Sequence, residues 1–318
     1  MTTGTGPSTG GSSAASGGGS RGGSIGSSDA DSRVVDQTAT AHGYERRHSL
    51  RFWVEVRRQL GRRRTVGVFA LMVAMPLVLI AAFAFGDPQN SGPESRINLV
   101  DVATQGAFNF LLFVFFVTTG FFLVVVFALF FGDTVASEAQ WGSLRYLLAS
   151  PVPRSVLLRR KLEVALFLSV AAILTLVTVT LVSGAIAYGW NPVATPVGME
   201  IATSDMWWRL AGIVGYLIVN LLMVGALAFY LSVRTDAPLA AVGGTVFIVI
   251  VSSILGQVDA LEALRNALPT SYNFAWVGML SDPPDTADMA SGIAWSLAYT
   301  VVLTALAFWH FRRKDITS

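Results

Sequence analysis

The amino-acid sequence predicts an all-α membrane protein with six transmembrane helices, both termini in the cytoplasm, and an amphipathic interfacial helix before the first span. Composition and charge placement support this fold class. Of the 318 residues, 53% are hydrophobic and only 13% are charged, whereas soluble domains carry about 25% charged residues. The sequence has no cysteine and three histidines, which argues against disulfide frameworks, a cysteine nucleophile and histidine-rich metal sites.

Residues 1–43 form a tail that is rich in glycine and serine and contains few large apolar side chains. Such a segment buries too little surface to offset its chain entropy, so we expect a disordered cytoplasmic extension. No early apolar stretch of the kind found in signal peptides is present, so we expect the first span to direct insertion. Partner binding is the alternative role for this tail.

Residues 44–64 are dense in arginine but contain interspersed aromatic and aliphatic residues. On a helix, Trp53, Val56 and Leu60 share one side, with arginines flanking it. This pattern is typical of a helix that lies in the headgroup region of a membrane, where tryptophan is common. A solvated basic stretch that only sets the topology is the alternative interpretation.

Six apolar segments follow, each close to or above the roughly 20 residues needed to cross a bilayer. We predict spans over residues 66–85, 107–131, 164–188, 210–233, 239–255 and 293–311. None contains an ionisable side chain well inside it. Proton- and ion-coupled transporters use such groups at membrane depth, so self-powered ion coupling is disfavoured.

The distribution of charge predicts the topology. Basic residues precede the first span, lie between the second and third, between the fourth and fifth, and follow the sixth, as with Arg57, Arg160, Arg234 and Arg312. All these positions share one side, while the opposite side is mainly acidic. By the positive-inside rule the basic side is cytoplasmic, which places both termini there.

A few residues within the spans are candidates for helix packing or a substrate path. Asn220, near the middle of the fourth span, is the best candidate for a hydrogen bond between helices. Phe115 and Thr119 belong to the phenylalanine-rich second span, in which lipid contact and packing are the simpler explanation and a path for a hydrophobic substrate is the alternative. Two pairs have the spacing of small residues that permits close helix approach, within one subunit or between two: Ala211 with Gly215, and Ala240 with Gly244.

The longest predicted cytoplasmic loop, residues 132–163, has helix-compatible composition from 133 to 149 and a break at a Ser-Pro-Val-Pro sequence. Apolar residues alternate there with charged ones, which favours the docking of a soluble partner. The loop contains a glutamate, a glycine, leucines, a proline, an arginine and a lysine in a characteristic order: Glu138, Gly142, Leu144, Leu147, Leu148, Pro151, Arg154 and Lys161.

This loop resembles that of the ABC-2 type permease subunits of ATP-binding cassette exporters. The sequence departs from their usual pattern at Ser143, where threonine is common, and at Arg145, where an acidic residue is frequent. The resemblance implies that Glu138, Trp141, Gly142, Leu144, Pro151 and Arg154 belong to an element that contacts a separate ATPase subunit. It also implies short helices in the outer segment, residues 257–290, that dip back at the outer face.

The resemblance further implies a plasma-membrane subunit that pairs with a second copy or a similar permease, is surrounded by lipid, and binds no nucleic acid. The sequence contains no phosphate-binding loop of the G-x-x-x-x-G-K-[ST] type. We therefore expect no enzyme activity, catalytic residues, metal or cofactor in this chain, with ATP bound by the partner.

Three other functional classes remain as alternatives. An ATP-independent secondary transporter or channel is disfavoured by the uncharged spans. A membrane-embedded enzyme needs paired carboxylates or a serine and histidine facing a cavity, and no such pattern occurs. A non-transporting scaffold or sensor would use residues 44–64 to contact lipid.

Overall fold

The computed structural model of the protein describes residues 52–85, 99–140, 154–194, 200–258 and 262–313. The long helices of these ranges are α2 (Arg63–Phe85), α4 (Ala107–Thr119), α5 (Phe122–Gln140), α6 (Arg154–Tyr188), α7 (Thr203–Arg234), α8 (Pro238–Leu255) and α10 (Ala287–Arg313). The shorter elements are α1 (Phe52–Leu60), α3 (Leu99–Ala103), β1 (Val193–Ala194), β2 (Glu200–Ile201) and α9 (Glu262–Ala267), with 3₁₀ helices at Pro269–Tyr272 and Ala275–Leu280. The predicted tail, residues 1–43, lies outside the described ranges.

The helices agree with an α-helical membrane-spanning protein. Within the described residues, five unbroken helices are long and apolar enough to cross a bilayer, and the pair α4 and α5 makes a sixth if it forms one span. All six predicted apolar segments are therefore helical. In the described ranges, the one β structure is the short antiparallel pairing of β1 with β2, in which Val193 faces Ile201 and Ala194 faces Glu200.

The second predicted span is broken, which corrects the expectation of one continuous helix over residues 107–131. The axes of α4 and α5 differ in direction by 59°, and the break falls at Gly120. Glycine is a weak helix former. Just before it, the hydroxyl of Thr118 donates to the carbonyl oxygen of Val114 at 2.7 Å, a contact that is common where helices bend.

Helix α7 lies at the centre of the bundle and packs against α5, α8 and α10. In the apolar windows of α6 and α7, 56% of the residues are buried, compared with 17% in α2 and α10 and 22% in α8. The exposed side chains of those outer helices are largely apolar and include Val78, Phe247 and Val301. Such a surface suits contact with lipid tails.

Glycines allow close contact between helices at the centre. A Cβ atom on Gly225 of α7 would lie 2.9 Å from the ring of Phe131 in α5, so the two helices approach more closely than a larger residue permits. The predicted small-residue pair Ala211 and Gly215 is instead exposed, and a Cβ atom on Gly215 would meet nothing within 4 Å. Packing inside this subunit therefore does not explain that pair.

Candidate functional site at the charged end of the bundle

Charged side chains from three helices meet at the end of the bundle where α5 finishes and α6 begins, hereafter the charged end. Helix α5 extends nine residues past the predicted end of the second span, from Phe131 to Gln140. The hydroxyl of Thr134 donates to the carbonyl oxygen of Phe131, and that of Ser137 donates to the carbonyl oxygen of Asp133. These local contacts satisfy the polar side chains within the helix, so Asp133 and Glu138 are carried on its last turns.

Glu138 and Lys161 form a buried ion pair between α5 and α6. The Nζ atom of Lys161 lies 2.5 Å from Oε1 of Glu138, and the two side chains are 6% and 5% exposed. Lys161 also donates to the carbonyl oxygen of Thr134 at 3.1 Å. Removing water from two charges is costly, and the cost is offset only when the pair stays together. The pair therefore couples the end of α5 to the start of α6.

Arg58 brings α1 into the same junction. Its guanidinium donates to Glu138 and to Glu55, each at 2.8 Å. Burial lowers the pKa of Arg58, but attraction to Glu55 and Glu138 and the hydrogen bonds to both outweigh burial and raise the pKa above its ordinary value. Arg58 consequently remains a cation at every physiological pH, and the Arg58, Glu138 and Lys161 contacts connect α1, α5 and α6.

A second set of ion pairs attaches the turn between α1 and α2 to α5. Asp133 accepts from Arg62 at 2.9 Å and from Arg64 at 2.6 Å, one arginine on each carboxylate oxygen. Arg62 also lies 3.4 Å from the hydroxyl of Ser137. Asp133 is largely buried, whereas the side chain of Arg64 is 60% exposed. The start of α2 is thereby held against the last turns of α5.

The three residues predicted to share one side of the interfacial helix lie on α1 and differ in exposure. Val56 is 2% exposed, but Trp53 is 68% and Leu60 is 43% exposed. Successive residues are 100° apart around a helix. Val56 therefore lies at the edge of this side that is next to Glu55, and Val56 and Glu55 are the buried residues of α1. Among the described aromatic rings outside α1, Trp53 contacts only that of Phe167, and the two ring centroids are 5.8 Å apart.

Four of the predicted coupling residues, Trp141, Gly142, Leu144 and Pro151, lie outside the described residues. Glu138 and Arg154 mark the two ends of this segment, since Glu138 is close to the end of α5 and α6 begins at Arg154. The sequence analysis did not predict the contacts of Asp133, Glu55 and Arg58. A carboxylate within the arginine-rich segment, Glu55, and another following an apolar run, Asp133, were the available signals.

The residues predicted for packing or a path lie away from the charged end. Asn220 donates to the hydroxyl of Tyr216 in the same helix at 3.3 Å, so its described bond does not cross to another helix as predicted. Tyr216 in turn donates to the carbonyl oxygen of Tyr272. Thr119 is buried, and its hydroxyl finds no hydrogen-bond partner in the described ranges.

Phe115 is fully buried and contacts Trp276, with ring centroids 6.2 Å apart. An apolar cavity of about 230 Å³ lies close by, between α3, α4, β1 and the second 3₁₀ helix. The phenylalanines that line it are Phe113 and Phe116, rather than Phe115. On α4, Phe115 is therefore a packing residue, whereas Phe113 and Phe116 line the cavity.

The opposite end of the bundle is held by contacts between side chains and backbone. Arg209, 6% exposed, donates to the carbonyl oxygens of Met279 at 2.6 Å and Ser281 at 2.8 Å. The amide of Asn109 donates to the carbonyl oxygen of Ala194 and accepts from its N–H. These two side chains fasten the 3₁₀ segment to α7 and the short β pair to α4.

Within the described ranges, no three histidine, aspartate or glutamate side chains are grouped closely enough to hold a metal ion. The long apolar helices define the class as an α-helical membrane-spanning protein. The chain belongs to a family of proteins of unknown function (DUF2705), whose family model matches residues 68–317. Comparison with curated proteins finds no match.

Proposed function

We propose that this chain is the membrane-spanning permease subunit of an ABC transporter, most simply an exporter in the plasma membrane, driven by a separate ATPase subunit. The observation that carries the proposal is the buried pair of Glu138 and Lys161 with the half-exposed Arg58 bound to it. These three residues connect three helices immediately beside the segment that resembles the coupling loop of ABC-2 permeases. In the proposed orientation, the charged end of the bundle and both termini of the chain face the cytoplasm.

The junction suits the transmission of movement from a docked partner. Residues 141–153 join the end of α5 to the start of α6, so a force on this segment acts on both helix ends. Because Glu138 and Lys161 are paired and buried, separating the two ends would leave an unpaired charge on a buried side chain. A displacement of the segment would therefore move α5 and α6 together, and α1 with them through Arg58.

Such movement would favour one of two arrangements of the bundle only if the partner contacts them differently. ATP binding by the partner would supply that difference. The bend between α4 and α5 divides the second span into a part near the charged end and a part near the apolar cavity. A change at α5 could therefore alter the cavity without moving the whole span as one rod.

Co-purification tests the assignment of a partner. The tagged full-length chain is isolated from its native host in mild detergent, and the bound proteins are identified by mass spectrometry. We expect a P-loop ATPase in about equal amount, with ATP hydrolysis by the complex. Recovery of the intact chain with no nucleotide-hydrolysing protein in repeated isolations would contradict the proposal and favour an ATP-independent transporter or a membrane scaffold.

Two variants test the role of the junction in coupling. Glu138→Gln combined with Lys161→Met removes both buried charges together, so neither is left alone. Arg154→Gln changes the start of α6. We expect each variant to insert and to bind the ATPase but to lose most ATP-dependent transport. Arg159→Gln is the matched control, because Arg159 is exposed and pairs only locally with Glu163 in the described structure. Unchanged transport in both variants would show that the junction does not couple.

Pairing with a second copy can be tested in the chain's own cysteine-free background. Gly215 is exposed on α7, and a Cβ atom there meets no other atom within 4 Å. If Gly215 faces a second copy, Gly215→Cys should form a disulfide-linked dimer on mild oxidation in membranes. Gly67→Cys on α2, equally open, is the control and should stay monomeric. Equal cross-linking of both variants would indicate random collision.

The proposed orientation has a separate test. A reporter fused after Ser318 should be active only in the cytoplasm, since α10 ends close to the basic residues Arg312 and Arg313. An externally active reporter would reverse the topology.

A further inference from the structure

A cavity of about 340 Å³ opens beside the turn that joins α1 to α2. The side chains that line it are four arginines from α1, the turn and α2, and three polar residues from α5: Arg58, Arg62, Arg63, Arg64, Asp133, Ser137 and Glu138. Liquid water takes about 30 Å³ per molecule, so the volume corresponds to about eleven waters. The cavity is therefore large enough for a phosphate group with a small polar substituent.

The lining of this cavity is cationic. Four guanidinium groups face two carboxylates, which leaves a formal excess of two positive charges among these side chains. Asp133 and Glu138 already bind Arg58, Arg62 and Arg64, but each guanidinium has five N–H donors. Arg63 lies among them, exposed, and forms no ion pair with any described residue. The arrangement offers several oriented donors to an anion.

The depth of the cavity identifies the source of that anion. Arg63 and Arg64 are the first residues of α2, a candidate membrane span, and the exposed Val66 lies two residues after Arg64. Trp53, also exposed, lies on the adjoining α1, and tryptophan is typical of the membrane interface. The arginines are thus at the level where hydrocarbon ends and lipid phosphates begin.

We propose that this cavity binds the phosphate of an anionic phospholipid headgroup. Arg63 is its principal ligand, and Arg62 and Arg64 contribute N–H groups that Asp133 leaves unused. Arginine suits this role because its planar fork of donors matches phosphate oxygens. The site does not depend on the permease assignment, because it rests on the cavity and its depth alone.

Lipid retention by the purified full-length chain tests the site. The delipidated protein in detergent is mixed with phosphatidylglycerol or phosphatidylcholine, and bound lipid is counted by native mass spectrometry. We expect selective binding of phosphatidylglycerol. Arg63→Gln should weaken it about tenfold, the scale of one hydrogen bond between charged groups, and Arg63→Lys should weaken it less. Arg57→Gln is the control, because it also removes one positive charge but Arg57 does not line the cavity. This variant should bind phosphatidylglycerol as tightly as the unmodified protein does.

Two competition experiments distinguish a bound lipid from a bound free phosphate compound. Binding of phosphatidylglycerol is repeated with excess glycerol phosphate and with inorganic phosphate, and neither should displace the lipid at millimolar concentration. Displacement by either would show that the site takes a free phosphate compound, and would overturn the lipid assignment. Equal losses in Arg63→Gln and Arg57→Gln would also overturn it, because the effect would then be one of general surface charge. Unfolding in lipid-free detergent checks that the Arg63 variants are folded.

Discussion

The two ends of the bundle are held together in different ways. At the charged end, Glu138, Lys161 and Asp133 form ion pairs between side chains on separate helices. At the opposite end, Arg209 and Asn109 bind backbone atoms. A backbone carbonyl stays where its own element puts it, whereas a pair between side chains can move with the helices that carry it. The difference indicates a fixed cap at one end and an adjustable junction at the other.

The largest effect should come from breaking the buried pair on one side only. Glu138→Gln leaves the buried Lys161 without the carboxylate it contacts, and we expect a loss of about 3–5 kcal/mol in the free energy of unfolding, measured by denaturation in detergent. The double variant with Lys161→Met should recover much of this loss, since no charge is then left alone. A double variant as unstable as the single one would show that packing, rather than charge, governs this junction.

Next in size is the cap at the opposite end. Arg209→Met removes both hydrogen bonds from the guanidinium and leaves two carbonyl oxygens unpaired, which should cost about 2–3 kcal/mol. The loss should add to that of the Glu138→Gln variant, because distant sites are generally independent. Strong non-additivity in the unfolding free energies would mean that the two ends are coupled, contrary to the fixed-cap interpretation.

A smaller effect is expected in the shared core between the ends. Gly225→Ala places a methyl group 2.9 Å from the ring of Phe131, and overpacking of this kind costs about 1–3 kcal/mol. Gly215→Ala provides the comparison on the same helix, because its methyl group meets open space. Thermal unfolding should separate the two variants, and equal midpoints would place α5 farther from α7 than described here.

The smallest effect concerns the pairs that the largely buried Asp133 makes with two partly exposed arginines at the charged end. Asp133→Asn weakens the pairs with Arg62 and Arg64, whose side chains are 30% and 60% exposed. Solvent screening limits the loss to about 1 kcal/mol, and high salt should reduce it further. Unfolding in low and high salt measures this dependence. If the loss were independent of salt, the pairs would be better shielded than their exposure indicates.

The sequence predicted the positions of the six apolar segments because each is long, continuous and bounded by charged or turn-forming residues. It did not predict the bend at Gly120. A glycine preceded by two threonines occurs in straight helices too, and the direction of α5 depends on contacts with α7 and α8. The β1 and β2 pair was also missed, since two-residue strands produce no periodic pattern.

The candidate site was predicted only in part. Glu138 and Arg154 were recognised in the loop, and Lys161 was included in the resemblance. Their relation to Arg58 was not, because residues 58 and 138 are distant in the chain and only the packing of α1 brings them within 2.8 Å. Basic residues that were read as topology signals, Arg58 and Lys161, proved to be partners of buried carboxylates.

The sequence by itself determined that the protein suits a lipid bilayer, and it determined the order of the helices, because hydropathy and segment length are local properties of the chain. The tertiary structure decided which charges are buried and paired and which guanidinium groups line a cavity. Such pairing depends on distances between helices that no local pattern encodes. It also decided that one end is fastened through the backbone and the other through side chains, because this depends on which helix faces each polar group.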